Sequence, residues 1–136
     1  MPQYSIISSN RLRTAHPLLQ HLFNEVIKKV DILIACGYRG EEEQNKAYDL
    51  GRSKIRYPLG KHNSLPSLAV DIYPYPYNWV LPECHTNIKK FYYVSGIIKA
   101  ISWQLEIPVR WGGDWDSDND LFDQNFYDLP HWQLIL

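Results

Sequence analysis

Two short segments, far apart in the chain, carry four side chains that bind metals or accept protons, and any fold that uses them must bring those segments together. The first is Lys61-His-Asn-Ser-Leu-Pro-Ser-Leu-Ala-Val-Asp71, and the second, near the C-terminal end, is Asp128-Leu-Pro-His131-Trp132. A catalytic zinc needs three protein ligands from His, Asp, Glu or Cys, an open position for water, and a nearby carboxylate to take that water's proton. His62, Asp71 and His131 suit the ligands, and Asp128 suits the base. His62 and Asp71 are nine positions apart and His131 lies sixty further on, so tertiary structure alone can assemble them. A single helical turn fixes the geometry of an HExxH pair, which makes this spacing a less specific signal.

With 136 residues, 45% of them hydrophobic, the chain suits one domain, residues 1–136, around a modest core. Fourteen basic and fifteen acidic residues leave a formal charge of -1. No global field therefore draws it to nucleic acid or an anionic membrane, and neither partner is expected. The ten Tyr and five Trp suit a small core or a groove for a polar, sugar-containing ligand. Cys36 and Cys84 match no CxxC spacing and read as free buried thiols, with a single disulfide as the other reading. The N-terminal residues lack a basic region followed by an apolar stretch of signal-peptide length. No run approaches the roughly 18 apolar residues of a membrane span, so membrane insertion is not expected and synthesis in the cytoplasm is.

Leu18, Leu19, Leu22, Phe23, Val26, Ile27 and Val30 recur at helical spacing, and Pro17 suits the first turn. Ile32–Cys36 reads as a buried strand, followed by a turn at Gly37–Gly40. Residues 41–50 suggest a second helix, with acids in its first turn and Gly51 as its stop. Residues 51–67 read as a loop carrying His62, and 68–73 as a strand carrying Asp71. The prolines of 74–82 exclude helix and central strand there, which leaves a surface wrap bearing aromatic side chains. A long helix is expected from about Thr86 to Leu105, a strand at Val109–Trp111, and a last strand from Trp132 to Leu136 with His131 at its start. This order predicts an α+β domain with helices packed on a small antiparallel sheet. His16 reads as a cap before Pro17, while His21, on the polar side of the first helix, and His85, in a loop, have no matching partners and read as structural or solvent-facing.

The chain resembles the zinc peptidases of peptidoglycan of the D-alanyl-D-alanine carboxypeptidase type, and in particular phage endolysins that are L-alanyl-D-glutamate peptidases. The resemblance runs through Gly37-Tyr-Arg39, Glu43-Gln44, Ser53-Lys54, Lys61-His-Asn63, Pro66-Ser-Leu-Ala-Val-Asp71, Arg110-Trp-Gly-Gly-Asp-Trp115 and Asp128-Leu-Pro-His131. It implies a fold of the Hedgehog and D,D-peptidase type without a separate wall-binding domain. It also implies Zn2+ on His62, Asp71 and His131, with Asp128 as general base where the broader family often has Glu. Arg39 matches an arginine that faces the metal and binds or polarises substrate; a surface salt bridge to one of Glu41 to Glu43 is its other reading. Gln44 is matched to substrate binding by hydrogen bonds, or to a cap at the helix start. The widespread pattern SxHxxGxAxD sets His and Asp seven apart, whereas this chain uses nine and lacks the glycine, as in the HNxxPSxAVD form of the endolysin branch.

The resemblance implies a monomeric enzyme that cleaves the stem peptide of peptidoglycan. It would be made in the host cytoplasm and reach the wall after a holin opens the inner membrane. A D-alanyl-D-alanine carboxypeptidase or dipeptidase on the same scaffold, and a non-catalytic peptidoglycan-binding or virion module, are the alternatives. Asp114, Asp116, Asp118 and Asp120 alternate as calcium ligands do, with Asp123 close behind. Asn119 and Asn125 stand where an EF-hand has Gly and Glu, and a solvated acidic turn is the plainer reading.

Overall fold

A computed structural model describes residues 2–122 and 127–136 of the chain. The elements run α1 (Ile6–Arg13), α2 (Pro17–Val26), β1 (Ile32–Cys36), α3 (Glu41–Asp49), β2 (Ala69–Pro74), α4 (His85–Leu105), β3 (Val109–Gly112) and β4 (Asp128–Leu134). The strands form one antiparallel sheet in the order β1-β2-β4-β3. The anticipated α+β arrangement is therefore present, and β2 and β4, which carry Asp71 and His131, are the two central strands.

Strand alternation gives the sheet two different faces. Ile32, Ile34, Val70, Ile72, Val109, Trp132 and Leu134 point into the core against Leu19, Leu22, Phe23 and Val26 of α2 and Val94 and Ile98 of α4. Burying a side chain such as Phe23, which has no exposed surface, stabilises the fold by about 1.5–3 kcal/mol. The alternate residues Asp71 and Tyr73 of β2, and His131 and Gln133 of β4, line a cleft on the other face.

Local chemistry sets the helix ends. The His16 ring nitrogen Nδ1 accepts from Leu18 N at 3.1 Å, so the capping reading of His16 holds, with Pro17 next in line. Gly51, in the left-handed region at φ 75°, follows α3. Three expectations shift, and one helix was not foreseen. Helix α1 has no sequence forecast, because Ile6 and Ile7 are exposed and only Ser8 and Leu12 are buried, which leaves no apolar stripe to read. Helix α2 ends at Val26, short of Val30. His85 is the first residue of α4 and not part of a loop. Strand β4 begins at Asp128, four residues before Trp132, despite Pro130 within it. Among the described residues no helix is long and apolar enough to cross a membrane. Cys36 and Cys84 are both free and half-buried.

Candidate metal centre and its cleft

Register brings the chain's two motifs into contact. Asp71 of β2 is paired with His131 of β4, so their side chains emerge side by side on the cleft face. His62 comes from the loop before β2 and is pinned by its neighbours: Arg39 N donates to His62 O at 2.7 Å, Asn63 N to Gly60 O at 3.0 Å, and Leu68 N to Lys61 O at 2.9 Å. The cleft encloses about 1060 Å³.

Three donor atoms converge there. His62 Nε2 is 3.2 Å from Asp71 Oδ1, His131 Nδ1 is 3.2 Å from the same oxygen, and the two ring nitrogens are 3.3 Å apart. The outer ring nitrogens fix both tautomers. His62 Nδ1 donates to the Gly37 carbonyl at 2.7 Å, and His131 Nε2 donates to Gln133 Oε1 at 2.8 Å. Each imidazole thus turns its other nitrogen toward Asp71, the atom that would bind a metal ion once its proton has left, and such outer partners are typical of metal-ligating histidines. Tetrahedral ligands on zinc bonds of about 2.0–2.1 Å sit about 3.3 Å from one another. The triangle has that edge, so the donor set fits a zinc ion in both chemistry and spacing.

Electrostatics point the same way. Burial opposes charge on His62, but the adjacent Asp71 carboxylate outweighs it and lifts the imidazole to about 10. Burial likewise opposes charge on Asp71, yet His62 and His131 hold its carboxyl well below the usual range. The site is therefore built around a partly buried carboxylate that attracts positive charge.

Arg39 pairs with Asp71 and with none of Glu41 to Glu43. Its Nη2 donates to Asp71 Oδ2 at 3.2 Å and its Nη1 to Gln44 Oε1 at 3.2 Å, which places the guanidinium at the Asp71 carboxylate and on the cleft wall. Gln44 is 1% exposed, and its amide is fully used. Its oxygen accepts from Arg39 and, at 3.2 Å, from Asn63 Nδ2, while its nitrogen donates to Ser53 Oγ at 3.0 Å and to the Ile55 carbonyl. The side chain therefore holds Arg39 and the His62 loop and does not cap α3.

Asp128 reaches the cleft through an irregular strand. Residues three apart on a regular strand face opposite sides, but the β3–β4 register jumps between Trp111↔Trp132 and Gly112↔Asp128. The extra residues of β4 form a bulge that admits both Asp128 and His131 to one cleft. Trp111 Nε1 secures it by donating to the Leu129 carbonyl at 2.8 Å. A Cβ at Gly112 would overlap the Asp128 carbonyl oxygen, so only glycine permits this approach. Burial, and then the Asp71 charge, push the Asp128 carboxyl up to about 6.

Sequence reasoning missed three contributors. Cys36 pairs with Asp71 across a bulge in β1, and its thiol belongs to a cluster whose ligand atoms, with His62 and Asp71, lie within 4.8 Å of one another. Gly37 and Gln133 orient the histidines. Cross-strand pairing gives Cys36 its place, a loop contact gives Gly37 its role, and Gln133 meets His131 two positions along the same strand. In the acidic turn, ligand atoms of Asp114, Asp116 and Asp118 gather within 4.8 Å, and Asp120 is not in the group. Asp123 and Asn125 lie outside the described residues. Asp114 is not solvated: it is 6% exposed, its Oδ2 accepts from Asn119 N at 3.0 Å, and its buried Oδ1 has no hydrogen-bond partner among the described residues.

Comparison with solved structures finds the Serratia marcescens L-Ala D-Glu endopeptidase ChiX, at 21% identity, with a TM-score of 0.69 over 98% of this chain and 90% of that one. That likeness is one of fold. No curated protein matches. The sequence model of the phage L-alanyl-D-glutamate peptidases matches residues 2–135, and with nearly its whole length accounted for, the chain belongs to that family.

Proposed function

We propose that the chain hydrolyses the L-alanyl-D-glutamate bond of the peptidoglycan stem peptide in this cleft, with zinc held by His62, Asp71 and His131 and with Asp128 as the base. Family membership supports the peptidase activity. The zinc reading is carried by one observation, the 3.2–3.3 Å triangle of donors with both tautomers fixed from outside. Zinc, when bound, supplies Lewis acidity that makes water a nucleophile near neutral pH. Asp128, poised near 6, accepts the proton of the attacking water and passes it to the leaving amine. Arg39 keeps N–H donors beyond those given to Asp71 and Gln44, and these stabilise the oxyanion that develops on the scissile carbonyl. Gln44 acts through Arg39 and Asn63 as a positioning residue.

Mass spectrometry of a disaccharide-tetrapeptide after incubation with zinc-loaded protein tests the reading. Release of the peptide beyond L-alanine is the expected result. Loss of the terminal D-alanine alone would make the chain a carboxypeptidase and overturn the endopeptidase assignment. The place of action in this reading, the wall after release from the host cytoplasm, is tested by fractionating cells before and after lysis.

The partnerless Asp114 oxygen favours one second reading, a calcium ion held by Asp114, Asp116 and Asp118. Calcium should then raise the melting temperature. A titration that moves neither melting temperature nor activity would leave only the acidic turn.

A further inference from the structure

The cleft wall continues past the metal-facing residues into an aromatic stack. Tyr73, two positions along β2 from Asp71 and on the same face, lines the cleft, as do Pro82 and Glu83 of the following loop. The Tyr73 ring centre is 4.9 Å from that of Tyr77 and 4.9 Å from that of Trp79, while Tyr77 and Trp79 are 4.5 Å apart. Phe91 of α4 supports the group, 5.5 Å from Tyr73 and 5.7 Å from Tyr77. The loop is tightly braced. Asn87, 1% exposed, donates to the carbonyls of Asn78, Leu81 and Pro82 and accepts from Asn78 N, and Lys90 Nζ donates to the Pro76 carbonyl at 2.9 Å. Trp79 is nevertheless 59% exposed. So much bracing beneath an indole left open to solvent makes a preorganised platform, and its neighbour Tyr73 connects it to the site.

We propose that the Tyr73, Tyr77 and Trp79 platform binds the sugar that carries the stem peptide, so that the enzyme prefers glycan-attached peptide to free peptide. This rests on the peptidase reading above. In peptidoglycan the L-alanine is joined through a lactyl group to a muramic acid ring. From the scissile carbonyl to that ring the substrate spans two residue-sized units, about 7 Å. From Asp71 to Tyr73 the strand advances by two residues, also about 7 Å. Sugar rings offer C–H faces that pack on aromatic faces, and hydroxyls that meet the polar edges of Tyr and Trp. Binding energy gained on this remote part of the substrate can be used to orient the scissile bond.

The test compares kcat/KM of the zinc-loaded full chain on a disaccharide-tetrapeptide and on the same tetrapeptide without sugar. The wild type should favour the former by about tenfold. Trp79→Ala should bring that ratio close to one, Trp79→Phe should retain most of it, and Trp103→Ala, which removes an exposed indole from the end of α4, should leave it intact. A wild-type ratio near one, or a ratio untouched in Trp79→Ala, overturns the platform and leaves the peptidase standing. Cleavage of neither substrate overturns both. Should Trp79→Ala lose its fold, competition decides: the peptide-free disaccharide should inhibit the wild type competitively, and no inhibition at millimolar concentration overturns the proposal.

Discussion

Asp128 carries opposite consequences for turnover and for stability. In its proposed role as general base it should be worth about 10²–10⁴ in rate, so Asp128→Asn should retain zinc, measured by metal analysis, and lose turnover by that factor. The wild-type kcat/KM should rise with pH along a limb at or below about 6, and the variant should lack it. Stability runs the other way. A carboxyl whose folded pKa is raised stabilises the fold fully below its unfolded value, and that contribution is lost as pH rises through about 6. At pH 7.5 with chelator present, Asp128→Asn should therefore be more stable than wild type by up to about 3 kcal/mol, and the gap should close near pH 4. Equal melting temperatures at both pH values would refute the buried, Asp71-facing environment. His62 gives a third test, since its proton must leave before a metal ion can bind Nε2. Zinc affinity should climb steeply from pH 6 toward 9, and calorimetry in buffers of different ionisation enthalpy should register proton release. At this scale the sequence was largely readable: His62, Asp71, Asp128 and His131 stand in motifs with recognisable order. The partners around them were not, because the Cys36 thiol gains its place through pairing with β2 and the Gly37 carbonyl through a contact with a loop 25 residues away.

Among elements, the β3–β4 hairpin has the least tolerance. Gly112→Ala would drive a methyl group into the Asp128 backbone, so it should widen or break the bulge and cost activity and stability together, by more than about 2 kcal/mol. A variant with wild-type melting temperature and turnover would show that the bulge is not needed. The same hairpin explains where sequence reading stopped. β1 and α3 were legible because an apolar run with turn residues after it, and a cluster of acids at a helix start, are local signals. The beginning of β4 was hidden by Pro130, which argues against a central strand, and by a bulge that breaks alternation. α1 was hidden because it buries only Ser8 and Leu12. Ser8 Oγ accepts from Ile34 N at 3.1 Å, so a polar contact with β1, rather than an apolar stripe, helps hold this helix.

For the molecule as a whole, Tyr4 links the N-terminal segment to α2, its hydroxyl donating to the Phe23 carbonyl at 2.6 Å. Burial raises its pKa, so stability from the neutral phenol is intact below pH 10 and falls as pH rises further. Tyr4→Phe should lose part of this alkaline sensitivity, as urea melts at pH 8 and pH 11 would show. The donor triangle has a wider consequence. It draws together a loop before β2, the centre of β2 and the last strand, β4, sites up to 69 residues apart in the chain. An ion shared by them works as a removable crosslink across a long loop, the case in which closing a loop restricts the unfolded chain most. At a thousandfold excess over its dissociation constant such an ion adds about 4 kcal/mol to folding. Chelation would then disarm the catalyst and slacken its scaffold in one step, and a protein made where zinc is scarce would be both silent and easily degraded until it reaches a compartment that supplies the ion.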